Sequence, residues 1–188
     1  IPVILGGIHI TSLPECLPKN VPLACLGESE ATFVRVVKLF VEDKLKTEYL
    51  RDIPGIAFRE ADTVRITPPA EQLDNLDFLP MPARDLLRIK SHTYVYSSRG
   101  CPYRCIFCSS TRFWNQVRFF SADYVIDEIE HLKKHYKVQM ISFLDDLFIA
   151  DTTRLEEILK GLEKKGLIGK IKFTCSCRAN LVDKEIAD

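Results

Sequence analysis

SRGCPYRCIFC is the sequence of residues 98–108, a loop that directly follows the strand-like alternation of residues 93–98. The loop contains three cysteines, Cys101, Cys105 and Cys108. Three thiolates on one short loop can each bind a different iron of a cubane cluster, and Gly100 and Pro102 favour the turns that such a loop needs. One iron would then lack a cysteine ligand, as in a catalytic metal site rather than a closed structural one.

Two other kinds of site are compatible with clustered cysteines, namely a zinc knuckle and an electron-transfer cluster of the ferredoxin type. Both need a fourth ligand, which Cys175 or Cys177 could supply. The C-x3-C-x2-C spacing favours the open cluster, because zinc sites use C-x2-C pairs and ferredoxin loops use C-x2-C-x2-C. We therefore expect Cys175 and Cys177 to be core cysteines, with an auxiliary metal or redox role as the alternative.

Composition and charge give no sign of a nucleic-acid-binding, membrane-spanning or disulfide-rich protein. The chain has 188 residues, with 26 Lys and Arg balanced by 26 Asp and Glu, so no net charge draws it to nucleic acid or an anionic membrane. No apolar run approaches the roughly 20 residues of a membrane span. The seven cysteines do not form the pattern of a disulfide framework, which predicts a reducing, cytoplasmic location.

The first half of the sequence alternates between strand and helix. Apolar runs at residues 1–5 and 21–26 predict strands, and residues 29–43 predict an amphipathic helix capped by Ser29. The apolar stripe of that helix comprises Phe33, Val36, Val37, Phe40 and Val41. We interpret residues 1–50 as the C-terminal part of an open α/β domain that begins in mid-strand.

A proline-rich segment, residues 51–90, follows this first part. Five of the ten prolines lie between Pro54 and Pro82, and short β-rich pieces flank residues 60–62. Proline is unfavourable inside helices and central strands, so the segment is predicted to be a hairpin and then a linker between domains.

Residues 91–188 repeat one pattern. Residues 93–98, 140–144 and 171–174 predict strands; Ser121 and Asp151 begin the two helices between them, and Gly166 ends the second. Strand, helix, strand, helix, strand predicts parallel pairing with right-handed crossovers. The fold class is therefore α/β, and we expect this second part to be the N-terminal portion of a barrel that continues beyond it.

The cysteine loop resembles that of the radical S-adenosylmethionine (SAM) superfamily, whose members carry C-x3-C-x2-C after the first strand of a partial β/α barrel. Phe107, the aromatic residue before the last cysteine, is part of the match and of the expected cofactor contact. The resemblance implies that Cys101, Cys105 and Cys108 bind a 4Fe-4S cluster whose fourth iron chelates SAM. It also implies a small-molecule substrate and an electron donor such as flavodoxin or ferredoxin.

Two further segments, residues 143–148 and 175–180, resemble segments found in that superfamily, the first of them in its cobalamin-dependent members. FLDDLF at residues 143–148 is similar to their F-x-D-D-x-F motif, which implies that Asp145 or Asp146 contacts the amino group of SAM; the alternative is a capping role. Arg178 would bind the SAM carboxylate through its planar donors, or else form a structural ion pair. Asn180 departs from the pattern, since relatives have Asp there.

The N-terminal segments GGIHIT at residues 6–11 and GESE at residues 27–30 resemble the end of a Rossmann-like cobalamin-binding domain. Gly6 and Gly7 would let a cofactor tail approach the backbone. The resemblance implies the remainder of that domain followed by the first three β/α units of a radical SAM barrel. It further implies cobalamin-dependent methyl transfer to an unactivated carbon, with radical cyclisation or rearrangement, or a non-catalytic iron-sulfur module, as alternatives. The substrate stays unidentified.

Overall fold

The computed structural model describes residues 3–187, and the chain divides after Leu73 into two compact units. We call residues 1–73 the N-terminal unit and residues 74–188 the C-terminal unit. The boundary lies inside the segment that the sequence predicts to contain a hairpin and a linker. Within the described residues, no helix is both long and apolar enough to cross a membrane.

The N-terminal unit is a four-stranded mixed sheet with helices. Its elements are β1 (Ile4–Leu5), α1 (Ile8–Ser12), β2 (Leu23–Cys25), α2 (Glu30–Val41), α3 (Thr47–Leu50), β3 (Ile56–Glu60) and β4 (Thr63–Ile66). The strand order is β1-β2-β3-β4, with β1 and β2 parallel and the other two pairs antiparallel. The predicted hairpin is therefore confirmed, and it extends the same sheet as the preceding strands.

Helix α2 buries a narrower face than the sequence predicts. Of the predicted stripe only Val36 is buried, whereas Phe33, Val37, Phe40 and Val41 are exposed. Thr32, one turn before Val36, is also buried, and its hydroxyl is satisfied there by donating to the carbonyl oxygen of Pro54 at 3.0 Å. Ser29 occupies the N-cap position, but its side chain makes no capping hydrogen bond. The stripe prediction is thus wrong in extent, because the sheet covers only a narrow face of this helix.

The C-terminal unit contains a parallel sheet and a small antiparallel pair of strands. Its elements are β5 (His92–Val95), β6 (Ser98–Arg99), α4 (Ser110–Phe113), β7 (Arg118–Phe119), α5 (Ala122–Tyr136), β8 (Met140–Phe143), α6 (Thr152–Lys164), β9 (Lys172–Thr174) and α7 (Lys184–Ala187). The parallel sheet has the order β5-β8-β9, and β6 pairs with β7. The predicted strand-helix-strand-helix-strand order is confirmed. The single strand predicted for residues 93–98 is two strands, because the chain leaves the parallel sheet after Val95 and pairs with β7 from Ser98.

Local signals explain where the two long helices begin and end. The Ser121 hydroxyl accepts a hydrogen bond from the backbone N–H of Tyr124, and the Asp151 carboxylate accepts one from that of Arg154. Gly166, with φ of 62°, follows the end of α6 as predicted. Both helices pack on the parallel sheet through fully buried side chains such as Ile129. Parallel strands share a direction, so all three carboxyl ends lie at one edge, where the predicted site residues follow them.

Candidate functional site

The cysteine loop leaves the sheet at Gly100, whose conformation only glycine adopts easily. Its φ is 90°, and a side chain there would meet the carbonyl oxygen of Gln116 at 2.8 Å and Trp114 Cβ at 3.1 Å. The strand pair β6–β7 joins the two ends of the segment that holds the loop. Gly100 therefore lets residues 101–117 fold back closely on the base of the loop.

Cys101, Cys105 and Cys108 are free thiols, and all three are partly buried. The backbone N–H of Cys108 donates to the carbonyl oxygen of Cys105 at 3.1 Å, which closes a turn between the second and third cysteines. Cys101 borders an open polar cavity of about 490 Å³. These residues fit an iron-sulfur cluster, because none of the three sulfurs is in a disulfide and each cysteine is partly exposed.

Among the side chains that the structure describes, no three of His, Cys, Asp or Glu converge to hold a single metal ion. A cubane cluster places each thiolate on a different iron, so its ligands do not need to meet at one point. The two residues between the second and third cysteines point into solvent, with Ile106 98% and Phe107 88% exposed. Phe107 is therefore available to contact a cofactor, as the resemblance implies.

Asp145, which follows β8, has a buried carboxylate that is fully engaged inside the protein. One oxygen accepts hydrogen bonds from the backbone N–H groups of Ser97 and Ser98 and from the Ser98 hydroxyl. The other oxygen accepts one from the Ser97 hydroxyl at 2.9 Å. Asp145 therefore holds the chain between β5 and β6, directly before the cysteine loop, and does not cap the following turn.

Arg154 holds the same segment through a backbone carbonyl oxygen. Its guanidinium donates to the carbonyl oxygens of Ser97 and Phe120, each at 2.8 Å, and the residue is buried. Burial lowers the pKa of Arg154, although the nearby Asp145 and Asp151 carboxylates act in the other direction. Sequence reasoning missed both Ser97 and Arg154, since neither lies in a motif and only the fold brings them together.

Asp146, the second carboxylate of the pair, is exposed. It accepts a hydrogen bond from the hydroxyl of Ser110, the first residue of α4. Ser110 follows the last cysteine of the loop by two positions, so this contact connects the end of β8 to the exit of the loop. Asp146 is thus the carboxylate of the pair that can reach a ligand.

Arg178 lies beside the cysteine loop after β9. Its guanidinium carbon is 3.9 Å from the ring centre of Tyr103, and Nη1 is 3.5 Å from the Sγ of Cys105. Nε donates to Asn180 at 3.2 Å. Its contacts in the described part of the chain are with an aromatic ring, a sulfur and an amide, and not the structural ion pair that was the alternative from the sequence. Tyr103 was not identified as a site residue from the sequence.

Cys175 and Cys177, expected in the core, are both exposed. They follow β9, whose last residue is Thr174. The core prediction is therefore wrong. Although Cys175 is exposed as a residue, partial desolvation of its thiol raises its pKa, and the nearby Cys177 and Asp145 add to the effect.

The two glycine-containing segments of the N-terminal unit meet through one threonine. The Thr11 hydroxyl donates to the carbonyl oxygen of Gly7 at 2.8 Å and accepts from the backbone N–H of Gly27 at 2.9 Å. Gly7 has φ of 100° and open space where a side chain would be, while a side chain on Gly6 would make only ordinary contact with Cys25. The ends of the parallel strands β1 and β2 thus present an open glycine surface.

Comparison with known proteins identifies relatives of the whole chain. The model of the radical SAM superfamily matches residues 95–188. An uncharacterized methyltransferase from Pyrococcus horikoshii is 34% identical over 98% of this chain. An anaerobic magnesium-protoporphyrin IX monomethyl ester cyclase from Cereibacter sphaeroides is 28% identical over 97% of it. The chain spans 41% and 32% of the length of these two relatives.

The fold resembles TsrM, a radical S-adenosylmethionine methyltransferase from Kitasatospora setae. The structure of TsrM with tryptophan and a SAM analogue matches all of this chain and 39% of TsrM, with a TM-score of 0.77 and 18% identity. The structure with cobalamin and a 4Fe-4S cluster bound gives a TM-score of 0.74. At this level of identity the comparison supports the fold, a mixed α/β arrangement with a parallel sheet.

Proposed function

Because the chain belongs to the radical SAM superfamily, we propose that it carries the cluster-binding part of an enzyme that cleaves SAM reductively. The superfamily uses a 4Fe-4S cluster together with SAM. The observation that carries the proposal is the loop of three free thiols at the carboxyl edge of a parallel sheet, inside the matched region. Ligand sites in barrels of β/α units lie at that edge.

Cys101, Cys105 and Cys108 would hold the cluster. When bound, it supplies the single electron that breaks a carbon–sulfur bond of SAM. The protein binds and orients the ligand: the exposed Asp146 carboxylate accepts hydrogen bonds from the SAM amino group, and Arg178 donates to the carboxylate. Phe107, exposed on the loop, provides an apolar contact. Asp145 acts indirectly, through the two serines that precede the loop.

The reaction that follows is proposed to be cobalamin-dependent methyl transfer to an unactivated carbon. Methyltransferases are among the relatives, and the N-terminal unit has an open glycine surface at Gly6 and Gly7 that suits a cofactor tail. In this proposal residues 1–50 are the remainder of a Rossmann-like cobalamin-binding domain and residues 91–188 are the first three β/α units of a barrel. Residues 51–90 provide the hairpin and linker.

Radical cyclisation is the second candidate, and the relative named as a cyclase favours it. Both candidates need a small-molecule substrate and a low-potential electron donor such as flavodoxin or ferredoxin, and we propose a cytoplasmic location for both. They differ in products: methyl transfer consumes a methyl group of SAM and releases S-adenosylhomocysteine, which cyclisation does not.

The test is anaerobic reconstitution of the whole protein, followed by electron paramagnetic resonance (EPR) spectroscopy with and without SAM. We expect a 4Fe-4S signal that shifts when SAM is added, and loss of the cluster when Cys101, Cys105 or Cys108 is replaced by alanine. Replacing Cys175 or Cys177 serves as the matched control and should leave the cluster intact. A fully loaded cluster whose signal is indifferent to SAM would overturn the proposal and favour an electron-transfer module.

A further inference from the structure

The contact between Arg178 and the cysteine loop involves two different groups. The guanidinium lies 3.9 Å from the ring centre of Tyr103 and, through Nη1, 3.5 Å from the Cys105 sulfur. Tyr103 and Cys105 are two residues apart on the loop. One side chain, four residues beyond the end of β9, therefore contacts the loop at an aromatic face and at a sulfur.

Both sides of this contact are anchored. Tyr103 packs against the hydrophobic core of the C-terminal unit, and so does Leu181, at the end of the short helical turn that follows Arg178. Nε of Arg178 also donates to Asn180 at 3.2 Å. The guanidinium is thus restrained by its contact with the Tyr103 ring and by its hydrogen bond to Asn180. The backbone that carries it is anchored in turn by Leu181, so its position relative to Cys105 is fixed.

A restrained guanidinium beside a cysteine sulfur has a definite electrostatic effect. Arg carries its charge at all accessible pH values and stacks well on aromatic rings. The reduction potential of an iron-sulfur cluster depends on net charge, on hydrogen bonds to sulfur and on solvent exposure. Reduction adds one electron, and therefore one negative charge, which a nearby N–H donor and positive charge stabilise.

We propose that Arg178 is a positioning residue that holds the cysteine loop through Tyr103 and raises the reduction potential of the bound cluster through the Cys105 sulfur. This inference rests on the proposed function, because it requires a cluster on the loop. It adds a role that is separate from binding the SAM carboxylate. The guanidinium has five N–H donors, and the contacts with Asn180 and Cys105 leave Nη2 for a carboxylate.

The test is a redox titration of the whole reconstituted protein without SAM, comparing Arg178→Met with the wild type. We expect the variant to need a more negative potential, with the ratio of reduced to oxidised cluster falling about tenfold at a given potential, or about 59 mV for one electron. Arg104→Met is the matched control: it removes the same charge from an exposed residue next to Cys105, where solvent screens it. Its potential should stay that of the wild type.

Three results would overturn the inference. One is an unchanged potential in Arg178→Met, as expected if Arg178 served only the SAM carboxylate. Another is an equal shift in Arg104→Met, which would assign the effect to net charge. If Arg178→Met does not load iron fully, Arg178→Gln replaces it: a glutamine removes the charge but keeps a polar side chain, and a potential equal to that of Arg104→Met is the third contrary result.

Failure of the proposed function would look different. If the wild type itself binds no 4Fe-4S cluster, as measured by iron and sulfide content, both the proposed function and the inference are wrong. If the wild type is loaded and responds to SAM but Arg178→Met keeps its potential, only the inference is wrong.

Discussion

At the scale of single residues, adjacent carboxylates have different environments. Asp145 is buried and accepts four hydrogen bonds from two serines, whereas Asp146 is exposed and accepts one from Ser110. Successive side chains at the end of a strand point to opposite faces, so one carboxylate faces the helix-covered side and the other faces out. This alternation assigns structural support to Asp145 and leaves Asp146 for a ligand.

Replacing each carboxylate with its amide should separate the two roles. Asp145→Asn puts an NH2 group against serine donors inside the protein, so we expect it to lower the free energy of unfolding by about 1–3 kcal/mol. Asp146→Asn is the exposed counterpart and should change it by about 0.5 kcal/mol or less. Urea unfolding of the cluster-free protein under reducing conditions measures both.

The same pair should differ in ligand binding. Asp146→Asn is expected to weaken the SAM-induced EPR shift while iron content stays that of the wild type. Equal unfolding free energies for the two variants, or an unaltered SAM response in Asp146→Asn, would contradict the division of roles.

At the scale of elements, the close packing of α5 on α6 depends on a glycine inside a helix. A side chain on Gly161 would lie 2.1 Å from Ile126 Cδ1 and 3.1 Å from its Cγ1. Ile126 is itself buried, so it has little room to move away. Glycine in a helix costs about 1 kcal/mol relative to alanine. Gly161 is therefore explained by helix packing and not by local preference.

Gly161→Ala tests this packing. Helix propensity alone predicts a gain of about 1 kcal/mol, but overpacking costs about 1–3 kcal/mol, so we expect no gain or a net loss of stability. The double variant Ile126→Val, Gly161→Ala lacks the clashing Cδ1 and should show less than the sum of the two single losses. Urea unfolding measures the coupling, and simple additivity would show that the helices do not meet as described.

At the scale of the whole molecule, the candidate cofactor sites lie in separate units. The glycine surface at Gly6 and Gly7 is in the N-terminal unit, and the cysteine loop is in the C-terminal unit. Each unit has its own buried cluster of hydrophobic side chains. Damage to one site should therefore leave the other able to bind its cofactor.

Two variants test this independence in the whole protein. Cys105→Ala should lose the 4Fe-4S absorption and keep cobalamin. Gly7→Val should keep the cluster and bind cobalamin about tenfold more weakly, because a β-branched residue at φ of 100° is strained and covers the open surface. Gly169→Val is the control, since Gly169 has φ of 74° and equally open space but lies in the C-terminal unit. Unchanged cobalamin binding in Gly7→Val would refute the site.

The sequence by itself determined the features that depend on neighbouring residues. The three parallel strands, the N-caps at Ser121 and Asp151 and the glycine stop at Gly166 follow from local periodicity and capping chemistry, and the structure confirms them. The cysteine spacing likewise indicated the superfamily, because the three cysteines of that motif are close in the chain.

Only the tertiary structure decided the contacts between residues that are distant in the chain. Asp145 and Arg154 meet at Ser97, and Arg178 meets Cys105 across 73 positions. The periodicity of apolar residues cannot predict such contacts, since they depend on which strands become neighbours. The narrow buried face of α2 and the exposure of Cys175 and Cys177 have the same origin: polarity predicts which residues can be buried, but the surface that neighbouring elements cover decides which are.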